Sequence, residues 1–422
     1  MTLPLGHFAA VCTDRNRIEQ GLSDGSSHGR RVARRPRVST VAALLALVAI
    51  ASLVSVSEAH AQAATANAGA GVPGFKSHLD VQYGVDFLGL GVYRSALRAS
   101  ALDPLVTVRG AVSTRGGILV ESAVVKRLGH SAWSTALAGR LSTMERNRFY
   151  GFGNSTDAGH PGAYYQLEQV QLRLAASVTW DLPGDGNYVT LGPLIEQLTT
   201  EDELGLGHGG DPDDEQDSSL VADLKPYGIG RFRKLGFGTA VGLGSTGPES
   251  GAAAGIRFDA VARMYPAWLD LTSPLAVTSA TVKAFAVMPW VLQPAVSVRL
   301  SAKRVFGDAP FHESVYLGGR RSLRGFEKQR YAGDLALVLN SELRLNPLRL
   351  RVAGRPIEGG PLALLDVGRV YVDGASPGGW HVGAGGGLWL RDDRSQRTVS
   401  AALVRSSEGT RAYVAVGFPF WP

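Results

Sequence analysis

The sequence predicts an all-β chain folded as one transmembrane antiparallel β-barrel, and three observations lead there. Apolar and polar residues alternate with period two through many short segments. Past the N-terminal region no apolar run is long enough for a membrane helix. That N-terminal region itself has the layout of an export signal.

The clearest strand is Leu335 to Leu345. Leu335, Leu337, Leu339, Leu343 and Leu345 form an aliphatic face interrupted only by Ser341, while Asn340, Glu342, Arg344 and Asn346 fall on the other. In a soluble sandwich the polar face would meet open water. In a barrel the aliphatic face meets lipid and the polar face a lumen, which makes Glu342 an acid enclosed by the wall. An ionisable group in that position is a candidate for function.

Other segments repeat the pattern. Val170, Leu172, Leu174, Ala176, Val178 and Trp180 oppose Gln169, Gln171, Arg173, Ser177 and Thr179, and the stripe ends in an aromatic, as interfacial girdles do. A turn from Asp181 to Asn187 leads into a strand from Tyr188 to Gln197. Val282, Ala284, Ala286 and Met288 alternate with Lys283, Phe285 and Val287; Val296, Val298 and Leu300 alternate with Ser297, Arg299 and Ser301. Glycine, at 53 of 422 residues, is well above the usual share of about 7% and suits walls that must bend. Periodicity alone allows about fourteen to eighteen strands.

The leader has Arg30, Arg31, Arg34, Arg35 and Arg37 before an uncharged run from Val38 to Ser57, then Ala59-His60-Ala61 as a small-x-small cleavage site. A retained anchor is the competing reading. The expected division is therefore 1–61 export signal and N-terminal extension, 62–77 short periplasmic lead-in, and 78–422 barrel, with Gln62 as first mature residue and Ala64 as the alternative. The single cysteine, Cys12, leaves with the leader, so no disulfide is expected. What remains is close to charge balance, which argues against nucleic acid.

With the C-terminus at the periplasmic rim, Arg411–Phe420 runs inward, Arg397–Val404 outward, Trp380–Arg391 inward, Leu362–Val372 outward and Leu335–Leu345 inward. The segment Gly318 to Phe326, GGRRSLRGF, is then extracellular in origin. Glu342 lies five residues before Pro347 and Asp366 five after Pro361, at similar depth on neighbouring strands. Two such carboxylates repel unless a cation lies between them, and Arg324 is the nearest candidate.

Here the chain resembles the BamA/TamA outer-membrane proteins, the bacterial surface antigens. The resemblance rests on Leu323-Arg324-Gly325-Phe326, on Glu342 in LNSELRL and on Asp366 in LLDVGRVY, with fainter echoes at Arg148–Thr156, Gly192–Glu196 and Gly255–Asp259. It implies sixteen strands, an extracellular loop folded into the lumen, and a loop lock of Arg324, Gly325, Phe326, Glu342 and Asp366. It also implies a seam at the last strand, Gly417, Phe418, Pro419 and Phe420, where Pro419 lacks an N–H and weakens pairing. The chain departs from the family in leaving no room for a POTRA domain between Gln62 and the first strands near His78, and in ending Phe-Pro-Phe-Trp-Pro.

The implied function is assistance in inserting or translocating proteins at the Gram-negative outer membrane. The alternatives are a porin-like or passive channel and a surface structural or adhesive barrel. Expected partners are outer-membrane lipid and lipopolysaccharide, client outer-membrane proteins or a separate periplasmic partner, with the barrel a monomer. No cofactor, metal or catalytic residue is expected. Gly205-x-Gly207-x-x-Gly210 has neither the strand nor the helix of a dinucleotide site. Asp211, Asp213, Glu215 and Asp217 have calcium-loop spacing without the glycine and glutamate such a loop needs, so a solvated loop is the reading preferred to calcium binding. The histidines are scattered, no GxSxG occurs, and the chain is read as a non-enzyme.

Overall fold

The computed structural model describes residues 76–82, 92–99, 105–112, 118–129, 131–184, 186–200, 219–245, 252–352, 354–392 and 397–416. Its strands are β1 Lys76–Gln82, β2 Val92–Ala99, β3 Leu105–Val112, β4 Ile118–Arg127, β5 Trp133–Arg148, β6 Gln166–Asp181 and β7 Tyr188–Thr200. They continue with β8 Gly230–Gly244, β9 Ala254–Tyr265, β10 Leu275–Val287, β11 Ala295–Phe306, β12 Val315–Leu317, β13 Tyr331–Gly333 and β14 Leu335–Arg344. The last are β15 Leu348–Val352, β16 Arg355–Tyr371, β17 His381–Asp392, β18 Arg397–Ser406 and β19 Gly409–Val416. A short helix, α1 Leu220–Leu224, starts at Ser219, whose hydroxyl accepts from the Ala222 N–H.

Seventeen strands make one antiparallel sheet in sequence order, while β12 and β13 form a separate ribbon in the connection between β11 and β14. Strands β14 and β15 both pair with β16, Arg344 opposite Leu362 and Leu348 opposite Gly359. They are one strand interrupted at Leu345–Pro347 by a one-residue register shift, so seventeen strands fill one place fewer, sixteen. This corrects the expected strand limits at Leu345 and Leu362, because both strands run further. Pro361 lies inside β16, and the hairpin closes further on, beside Gly354 at φ 76°. The first described strand begins at Lys76 rather than His78. Thr199 and Thr200 belong to β7 and Ser219 to Leu224 to the capped helix, so only 201–218 of the acidic segment fall outside the described residues. Gly417, Phe418, Pro419 and Phe420 also lie outside them.

The wall is apolar outside, and its inner face is polar except where apolar residues such as Val338 and Val370 meet the lumen loop. On β14 Leu339 and Leu343 are exposed while Asn340, Glu342 and Arg344 are buried. On β6 Leu172, Leu174 and Trp180 are exposed, and Gln169 and Ser177 are buried. Ile256 reaches 61% exposure and Asp366 is 0% exposed, the reverse of a water-soluble sandwich. Trp133 and Trp180 stack at 5.5 Å on the outer face near one rim, where such rings sit at a membrane interface. Among the described residues no helix is long and apolar enough to cross a membrane; the strands do the crossing.

The two rims differ. Among the described residues, the connecting segments 149–165, 219–229, 266–274 and 307–334 share one rim, while 182–184, 288–294 and 354 lie at the other. The longest described one, 307–334, folds into the lumen. Val315, Leu317, Leu323, Phe326 and Tyr331 pack there with Val338 and Val370 of one wall and with Leu194, Phe232 and Tyr265 of another. A single segment reaches both because the sheet wraps around it.

Candidate loop-lock site

The tip of the lumen loop is held in shape by its own backbone. Gly318, Gly319 and Gly325 have φ of 119°, 85° and 96°, which β-carbon-bearing residues rarely adopt. The Ser322 hydroxyl accepts from the Gly318 N–H at 2.9 Å and donates to the Gly318 carbonyl at 2.7 Å, and the Gly319 N–H reaches the Phe326 carbonyl at 3.2 Å. The turn closes on itself and projects Arg324.

The structure brings Arg324, Glu342 and Asp366 together. Arg324 Nε and Nη2 donate to the two Asp366 oxygens at 2.7 Å each, its backbone N–H adds a 3.0 Å bond, and Nη1 meets Glu342 Oε2 at 3.3 Å. All three side chains are 5% exposed or less. Asp366 lies opposite Asn340, and Glu342 opposite Leu364, so the acids are diagonal neighbours with Glu342 further from the loop-bearing rim. Burial alone would lower the pKa of Arg324. The hydrogen bonds and charge of Asp366, helped by Glu342, outweigh it, so the pKa is raised and the cation is fixed.

Residues not singled out as the lock complete it. Arg344 Nε donates to Glu342 Oε1 at 2.5 Å, giving two cations for two acids. Asn340 Nδ2 donates to the Ser322 carbonyl at 2.7 Å, and Arg299 Nε to Asn340 Oδ1 at 3.0 Å. Gly325 is gripped by β18 and β19: its N–H donates to the Tyr413 hydroxyl at 2.8 Å, and its carbonyl accepts from Ser406 Oγ at 2.6 Å and Arg411 Nε at 3.2 Å. Phe326 meets Tyr331 and His381 edge-on at 5.7 Å, and Tyr331 stacks on His381 at 3.8 Å. Burial raises the pKa of Tyr331, keeping its hydroxyl neutral.

The arm leaving the tip ties distant strands together. Glu327 pairs with Arg148 at the end of β5 and with Arg411 of β19, the latter at 2.6 Å. Arg330 meets Glu408 at 2.5 Å in the β18–β19 turn, donates to the Thr156 carbonyl at 2.6 Å, and lies over Tyr150. Room for the tip comes from β17, whose inward positions read His381, Gly383, Gly385, Gly387. A Cβ at Gly383 would run into the Arg324 carbonyl. Of these glycines only Gly383 faces the tip; a Cβ at Gly385 or Gly387 would meet the carbonyls of Leu403 and Ala401 on β18. Nothing local marked Tyr413, Ser406 or Glu327.

The site's chemistry is that of an enclosed electrostatic clasp: paired charges, aromatic packing and backbone grips. Among the described residues no three His, Cys, Asp or Glu side chains gather as metal ligands.

A family model for the haemolysin secretion/activation proteins ShlB/FhaC/HecB matches residues 276–390, the stretch that carries the lumen loop and both lock acids. No curated protein matches the chain. Among solved structures, BamA from Haemophilus ducreyi lacking POTRA domains 1–3 superposes with a TM-score of 0.55 at 11% identity, covering 82% of this chain and 69% of that one. CdiB from Acinetobacter baumannii gives 0.47 at 14% identity, with 81% of this chain and 59% of that one. CdiB from Escherichia coli gives 0.49 at 13%, with 83% and 62%. The BamA likeness establishes the shared fold, a transmembrane antiparallel barrel with an inward-folded loop.

Proposed function

We propose that this chain is an outer-membrane barrel of the secretion and assembly kind, which passes other proteins across or into the outer membrane, with the loop at 307–334 as the lumen gate. The observation that carries the reading is the loop itself, pinned in the lumen by Arg324 between Glu342 and Asp366. A passive pore gains nothing from a plug buried on ion pairs. A gate needs a closed state held by contacts that a client can replace one for one, and charged, hydrogen-bonded contacts in a wettable lumen are of that kind.

Two forms of the activity share this geometry. In secretion a dedicated polypeptide partner threads the lumen; the ShlB/FhaC/HecB match over the lock-bearing segment supports this form. In insertion, the BamA/TamA form, clients leave sideways through a labile seam, for which Gly417 to Phe420 are the candidate residues. Lipid and lipopolysaccharide surround the barrel in either form, and the protein acts as a monomer without cofactor or chemical step.

Planar-bilayer recording separates the gate from a pore. The wild-type barrel should show small, unsteady conductance, and deletion of Gly319 to Lys328 should open a larger, steady channel lined by Gln169, Gln171, Arg173 and Asn340. If the wild type already conducts as an open pore and the deletion changes little, the porin-like reading replaces this one.

A further inference from the structure

The lumen loop has a second charged contact, on another wall and of the opposite sense. Its ascending arm carries Glu313 in a 3-10 turn, Phe311–Glu313. Glu313 pairs with Lys234 of β8 and reaches Arg263 of β9 at 3.6 Å. Lys234 also meets Glu196 of β7 at 2.9 Å, Arg263 meets Glu196 at 3.5 Å, Arg173 of β6 pairs with Glu196, and the Tyr265 hydroxyl donates to Glu196 at 2.7 Å. The Lys234, Glu196 and Glu313 side chains are 4%, 7% and 4% exposed.

Charge balance makes Glu313 matter. It is a second acid beside three cations, Arg173, Lys234 and Arg263, that all contact Glu196, and its removal would leave like charges close together in a buried place, where they repel strongly. Apolar packing fixes the same turn. Phe311 lies among Phe149, Leu167, Val221 and Ala332, its N–H donates to the Tyr227 carbonyl at 2.9 Å, and His312 meets Phe232 edge-on at 5.2 Å. Between this base and the Arg324 tip come Gly318 and Gly319, both at positive φ. The hydrogen bonds that close the tip include both glycines, Gly318 with Ser322 and Gly319 with Phe326, so Gly318 to Phe326 can turn as a unit at its junction with β12.

We propose that Glu313, seated on Lys234 and Arg263, is the fixed end of the gate, so that release of Arg324 swings the tip about its junction with β12 at Leu317–Gly318 while the base stays on the β7–β9 wall. The inference deepens the gate reading and rests on it. Its meaning for function is that the lumen opens along the β14–β18 wall, and the client path is bounded on the other side by the seated base.

The test uses the full barrel with single reporter cysteines, Arg321→Cys in the tip and Ser314→Cys beside the base, and a small thiol reagent that enters the lumen. R324A should raise labelling at the tip reporter by on the order of tenfold or more, since loss of one partner of a buried ion pair shifts opening by more than a decade. The base reporter should stay shielded in R324A and become reactive only when E313Q is added. Equal gains at both reporters in R324A would show one rigid body, and a base reporter as shielded in E313Q/R324A as in R324A would show that Glu313 fixes nothing; either overturns the proposal. Should E313Q fail to insert, hydrogen exchange on R324A decides alone: faster exchange at amides 319–326 with 311–315 unchanged supports the fixed base, and parallel acceleration refutes it. These readings report loop position whether or not the barrel moves a client, so their failure is distinct from failure of the gate function.

Discussion

Arg324 meets Asp366 with two side-chain bonds of 2.7 Å and a backbone bond of 3.0 Å, a fork-to-carboxylate contact inside a membrane barrel. Removing Arg324 leaves Glu342 with Arg344 and takes three hydrogen bonds from the enclosed Asp366. Loss of one partner of a dry buried pair costs about 3–5 kcal/mol, less where the lumen admits water. R324A should therefore lower the temperature at which the folded barrel changes mobility on a detergent gel, or reduce its yield. R324K keeps the charge without the planar fork and should fall between wild type and R324A. Wild-type behaviour in both variants would mean that the contact stabilises nothing.

The two acids should not be equal. Asp366 takes three hydrogen bonds from Arg324, whereas Glu342 takes one at 3.3 Å and keeps Arg344 at 2.5 Å when the loop leaves. D366N should thus destabilise the closed loop more than E342Q, by roughly 1 kcal/mol or more, the scale of a charged hydrogen bond. The same gel transition ranks them, and a larger effect from E342Q would reverse the assignment of the principal acid.

What could be read from the chain was whatever repeats locally or sits in one motif. The inverted alternation of β6 and β14 was visible because it follows the pleat, residue by residue. Arg324, Glu342 and Asp366 were visible through a resemblance whose motifs occur in order. The network of Arg173, Glu196, Lys234, Arg263 and Glu313 was not, because its members come from four strands and a loop and no spacing records that they converge. The expected strand end at Leu345 was too early, and Pro347 gives the local reason. It removes one ladder donor and suggests a strand end, but the strand resumes at Leu348 after a one-residue shift. The α1 helix was hidden because five residues are too few to show a helical period, though Ser219 caps it.

Gly383 offers a test that touches no charge. A Cβ there would collide with the Arg324 carbonyl, a backbone atom that cannot swing aside. At Gly386, on the outward face of the same strand, a Cβ would lie 3.1 Å from the Leu362 carbonyl, a contact that a small shift relieves. G383A should displace the tip and weaken the closed state by about 1–3 kcal/mol, the cost of overpacking a fitted site, with G386A milder. In planar bilayers G383A should show more frequent or longer openings than G386A. Equal records from the two would show that the tip does not need a glycine at 383.

Orientation is the remaining prediction, and it follows from how the loops cluster. Glu201, Asp202, Glu203, Asp211, Asp213, Asp214, Glu215 and Asp217 need open water and cannot lie against lipid. They belong to the connection that ends in α1, and Val221 of α1 packs with Phe149, Phe311 and Ala332 of the two other long connections. Tyr164 also donates to Asp223 at 2.8 Å. The described end of that connection, α1, therefore shares a rim with the base of the lumen loop, and outer-membrane barrels place their long-loop rim outside the cell. The one cysteine of the sequence, Cys12, precedes the expected mature start, so a cysteine at Asp213 would be the sole thiol of the exported protein. Whole cells carrying Asp213→Cys should react with a membrane-impermeant maleimide, and Gly354→Cys, in the hairpin turn at the other rim, should react only after lysis. The opposite pattern would turn the barrel over, and with it the direction in which the gate opens.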